Sequence, residues 1–79
     1  MDWREHIVSD PEILAGKPVL RGTRLAGDFL LGLLAAGWTE VQIRENYPQV
    51  SPEALRAVFA LAAETLAEEA FYPVRRRAV

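Results

Sequence analysis

The chain has 79 residues and no cysteine, is 51% apolar and 25% charged, and carries a net charge of −2. That composition describes one small domain, too apolar to be disordered, held by no disulfide, and too acidic overall to cling to nucleic acid with its whole surface. At this size apolar burial and ordering entropy come out nearly level, so well-formed helices and association with a second chain are the expected stabilisers.

The start of the chain, Met1-Asp2-Trp3-Arg4-Glu5-His6, is charged where a signal peptide needs an apolar core, and the apolar run from Phe29 to Trp38 is half a membrane span. A cytoplasmic protein without a membrane partner is expected. Residues 6–24 have strand and turn chemistry. Ser9-Asp10-Pro11 and Ala15-Gly16-Lys17-Pro18 are turn signals, and short strands are predicted near 6–8, 13–14 and 18–21. From Asp28 the period becomes helical. Asp28 can cap a first helix over about 29–36, which carries Leu30, Leu31, Leu33 and Leu34 and stops at Gly37. Thr39-Glu40-Val41-Gln42 fits a capping box flanked by Trp38 and Ile43, and Tyr47-Pro48 ends this second helix near Asn46. Ser51-Pro52-Glu53 opens a third helix, predicted to run over 52–71 until Pro73. The expected organisation is a single domain over 1–72, with three helices in 28–71 and a basic tail over 73–79. The class is mainly α, a three-helix bundle with short N-terminal β-strands.

The third helix has a core stripe at Leu55, Val58, Phe59, Ala62 and Leu66. Twenty residues span about 30 Å, longer than two shorter helices can cover. Leu61, Leu66, Ala70, Phe71 and Tyr72 are therefore expected either to pack on the N-terminal strands or to form the interface of a homodimer, with the dimer preferred.

Candidates for catalysis are few, and no enzyme activity and no cofactor are expected. There is one histidine, His6, and its grouping with Asp10 or Glu12 at a metal is less expected than a solvated side chain. Gly16-Lys17 lacks the following Ser or Thr and the helix of a phosphate loop. The charges, by contrast, are segregated. Lys17, Arg21 and Arg24 give +3 between Ile13 and Gly27, whereas Glu53, Glu64, Glu68 and Glu69 against Arg56 give −3 over 52–71. Arg75, Arg76 and Arg77 then close the chain. Lys17, Arg21 and Arg24 are candidate contacts for an anionic partner, and on a strand Lys17 and Arg21 would share a face; a charged edge strand is the plainer explanation of equal weight. The arginine tail could hold phosphates without reading sequence, though such a tail more often aids solubility. The short turn between the second and third helices suggests a helix-turn-helix. Its second helix offers only Arg56 to a base edge and sets Glu53 against the phosphates, so direct base reading is not expected.

Ile7, Pro11, Ile13, the run Gly16-Lys17-Pro18-Val19-Leu20-Arg21-Gly22-Thr23-Arg24, then Leu33-Leu34-Ala35-Ala36-Gly37, Thr39, Ile43, Tyr47-Pro48 and Ala62-Ala63 together resemble the domain of unknown function 433 family over about residues 6–65. The resemblance implies a homeodomain-like trihelical fold with a short N-terminal strand region, and a predicted antitoxin that masks a PIN-like nuclease toxin, with operator DNA as a further target of a dimer. Three positions depart from the family pattern. Ala15 stands where a second glycine is common, Leu25-Ala26 lacks the usual proline, and Leu61 replaces a frequent tyrosine. The expected function is a non-catalytic, dimerising antitoxin-like module. The alternative is a stand-alone DNA-binding transcriptional regulator of helix-turn-helix type, using Lys17, Arg21, Arg24 and the arginine tail.

Overall fold

The structure, a computed structural model, describes residues 2–68. In chain order it has a one-turn 3-10 helix at Trp3–Glu5, strand β1 at Ile7–Val8, a second 3-10 turn at Leu14–Gly16, strand β2 at Val19–Leu20, and helices α1 (Gly27–Ala35), α2 (Glu40–Asn46) and α3 (Pro52–Glu68). It is mainly helical, with one two-stranded sheet.

β1 and β2 run antiparallel, with Ile7 opposite Leu20 and Val8 opposite Val19. A two-residue ladder is too short to stand alone, and β2 gains support on its other side. There Val19 bridges to Ala26, the Leu20 amide donates to the Leu25 carbonyl at 3.0 Å, and the Gly27 amide donates to the Pro18 carbonyl at 2.9 Å. The loop between them is closed by Thr23, whose hydroxyl donates to the Leu20 carbonyl at 2.8 Å and accepts from the Leu25 amide at 2.9 Å. Gly22, at φ +80°, turns the chain where a Cβ would be strained. The Gly-Thr pair inside the family-like run thus fixes where α1 begins.

Two expectations are corrected. The strand at 13–14 does not form. Leu14 (φ +50°), Ala15 (φ +56°) and Gly16 (φ +87°) are instead left-handed, and this turn swings the chain round toward β2. Asp28 does not cap the first helix either. Pairing of Ala26 and Gly27 with the strand segment starts α1 two residues earlier, with Ala26 at the cap position and no side-chain cap bond, so Asp28 lies inside the first turn.

The other boundaries follow local chemistry. α1 ends at Gly37 (φ +102°), where the Trp38 amide donates to the Leu33 carbonyl and the Gly37 amide to the Leu34 carbonyl, the paired bonds of a left-handed helix stop. Thr39 and Gln42 form the reciprocal capping box on α2, at 3.1 and 2.8 Å. The Ser51 hydroxyl accepts from the Ala54 amide at 3.0 Å at the start of α3. The core is the meeting of Ile7 and Leu20 from the sheet, Leu30 from α1, Ile43 from α2, Val50, and Leu55, Ala57 and Val58 from α3. No side chain that is fully buried among the described residues is polar or charged.

The third helix was expected to reach 71; its last described residue is Glu68, and Ala70, Phe71, Tyr72, Arg75, Arg76 and Arg77 lie outside the described residues. Part of its overhang is covered by the N-terminal turn. The Trp3 indole donates to a Glu64 carboxylate oxygen at 3.3 Å, the Arg4 guanidinium sits 4.4 Å from the Trp3 ring centre, and Arg4 reaches Glu64 at 3.7 Å. No helix among the described residues is long and apolar enough to cross a membrane.

Candidate interaction surface

The basic segment does not present three free cations. Lys17 Nζ lies 2.9 Å from Asp28 Oδ2 and so ties the strand segment to the first turn of α1. Hydrogen bonding from Lys17 holds the Asp28 carboxyl below its ordinary value of 3.8. Arg21 turns the other way and donates from Nε to the Glu5 carbonyl at 3.1 Å and from Nη2 to the Arg4 carbonyl at 3.0 Å, holding the N-terminal turn. Because β2 spans only Val19–Leu20, the shared strand face expected for Lys17 and Arg21 does not arise. Arg24 and Arg56 are exposed and have no ion pair or hydrogen bond among the described residues. No three His, Asp or Glu side chains among the described residues group as metal ligands, so His6, Asp10 and Glu12 do not form such a site.

Two grooves flank the Lys17–Asp28 pair, and both use it as a wall. The first, about 670 Å³, is bounded by Leu14, Arg24, Leu25, Phe29 and Tyr47. Phe29 and Tyr47 meet edge to face with ring centres 5.8 Å apart, a favourable aromatic geometry that leaves Phe29 43% exposed. The second, about 410 Å³, runs under α3, with Leu31 of α1 facing Val58, Leu61, Ala62, Thr65 and Leu66. Two of the residues expected at an interface, Leu61 and Leu66, are thus brought to one apolar groove, and Leu66 remains 58% exposed.

The first groove was not anticipated. Phe29 sits beside the core-facing Leu30 and so reads as part of the same apolar run, while Tyr47 reads only as the residue before a helix-ending proline. Leu14 falls in a predicted strand. Only the left-handed turn shows that its side chain stands at the surface, and Ala15-Gly16 was the available signal.

A relative from Sinorhizobium fredii (strain NBRC 101917 / NGR234), the uncharacterized protein y4eO, is 38% identical over 53 residues, which cover 67% of this chain and 24% of that protein. The chain therefore spans about a quarter of that relative's length. No solved structure matches. The family model described as protein of unknown function (DUF433) matches residues 7–62, from β1 through the Lys17–Asp28 pair and the aromatic groove into the middle of α3, and the chain belongs to that family.

Proposed function

We propose that the protein is a non-catalytic interaction module of antitoxin type, a homeodomain-like helix-turn-helix body that dimerises and binds and neutralises a PIN-like nuclease, with operator DNA as a further target of the dimer. The observation that carries this reading is the apolar groove along α3. Leu31, Val58, Leu61, Ala62 and Leu66 form a mostly apolar surface bordered by Thr65 and the Lys17–Asp28 pair, the kind of contiguous apolar patch that a partner chain covers. The acidic balance of α3 adds to it. Among the described residues Glu53, Glu64 and Glu68 stand against Arg56, a sign that complements a basic nucleic-acid cleft and steers association with its owner.

Co-expression with the product of the neighbouring gene tests the reading. A complex that survives purification at 0.3–0.5 M salt and suppresses the toxicity of that product is the expected result, at roughly this ionic strength because long-range surface attraction is then largely screened. Absence of a complex together with unchanged toxicity overturns it. The stand-alone DNA-binding reading draws on Arg24 and Arg56, the two exposed arginines without partners among the described residues. It requires binding to duplex DNA that weakens steeply with added salt.

A further inference from the structure

The groove between the Leu14 turn and the aromatic pair combines three features. Leu14 and Ala15 hold left-handed conformations at φ +50° and +56°, which L-residues adopt only under strain, and such strain persists only where surrounding structure or function demands it. The turn they make leaves Leu14 41% exposed on the groove wall, opposite Phe29 and Tyr47. At the rim, Asp28 is already committed to Lys17, so Arg24 is the one charge lining the groove without a counter-charge among the described residues. Apolar walls with a single uncompensated cation complement a ligand that has a bulky apolar body and a carboxylate beside it.

We propose that this groove docks a segment of a protein partner in which a phenylalanine- or leucine-like side chain enters between Leu14 and Phe29 while a neighbouring carboxylate meets Arg24. A protein segment is favoured over a free small acid because the groove is open along one side. A small molecule there keeps much of its surface wet, whereas an extended chain lies along the groove and covers its apolar walls. The proposal concerns partner chemistry and stands apart from the nuclease reading.

The test is an amide-resolved NMR titration of the full chain with the acetylated, amidated tetrapeptide Glu-Phe-Leu-Glu, with Lys-Phe-Leu-Lys and phenylacetate as comparison arms. The acidic peptide is expected to shift the amides of residues 14–17, 24–29 and 47. Arg24→Glu is expected to weaken its binding about tenfold, the loss of one charge-assisted contact. Leu14→Ser is expected to weaken it while leaving the amide spectrum of the folded core in place. Equal binding of the basic peptide, shifts confined to other surfaces, no shift at millimolar peptide, or indifference to Arg24→Glu each overturns the proposal. Phenylacetate binding as tightly as the peptide overturns the assignment to a protein segment.

Discussion

Ala15 holds a φ of +56°, a left-handed backbone that glycine adopts far more readily than alanine. Left-handed backbone costs alanine about 1–2 kcal/mol, whereas glycine adopts it freely and gives back about 0.5–1 kcal/mol of chain entropy. Ala15→Gly is accordingly expected to stabilise the fold by about 0.5 kcal/mol, read as a higher urea midpoint. Asp28 makes a second case. Its carboxyl is held below the ordinary value of 3.8 mainly by the Lys17 hydrogen bond, so the pair stabilises fully above that value and the contribution is lost as pH falls through the lowered one. Both side chains are more than half exposed, which limits the pair to about 0.5 kcal/mol. Asp28→Asn is expected to cost about that much at neutral pH, and the urea midpoints of wild type and variant are expected to draw together as pH is taken progressively below 3.8.

At the level of elements, the caps were legible because each is decided within four residues. Thr39 and Gln42 form the capping box, Ser51 bonds the Ala54 amide, and Gly37 takes the left-handed stop. Thr39→Ala removes one half of the box and is expected to destabilise by about 1 kcal/mol, measured by thermal or urea unfolding. The start of α1 was not legible locally, since it depends on Ala26 and Gly27 bonding back to Val19 and Pro18, a pairing no window of the first helix contains. The same limit hid the Leu14 turn. Ile13-Leu14 has strand composition, and only the need to bring Lys17 onto Asp28 and Val19 onto Val8 bends the chain there. The charge cluster was visible as composition, but its disposition was not. Arg21 is absorbed by the carbonyls of Arg4 and Glu5, leaving Arg24 as the member without a partner among the described residues.

For the whole molecule, the interior meets on a handful of aliphatic side chains, with Leu30 and Ile43 wholly enclosed. In a domain of this size a cavity left by Leu30→Ala, about 2–5 kcal/mol, is a large share of total stability and is expected to unfold much of the population at 37 °C, visible as loss of helical circular dichroism. The proposed dimer belongs to this scale too. Leu66→Glu places a charge in the groove under α3 and is expected to shift a sedimentation boundary from dimer to monomer without loss of helix content. An unchanged boundary would remove that groove from the dimer interface.

The contact between Trp3 and Glu64 joins residues 61 apart in sequence, the two ends of the described chain. A bond of that separation forms only after the intervening loops have closed, so it should come late in folding and be among the first to open from the native state. Because an indole takes part in it, its release should appear in the Trp3 emission, read in a Trp38→Phe background, ahead of helix melting, an internal optical gauge of how the N-terminal turn comes away from α3.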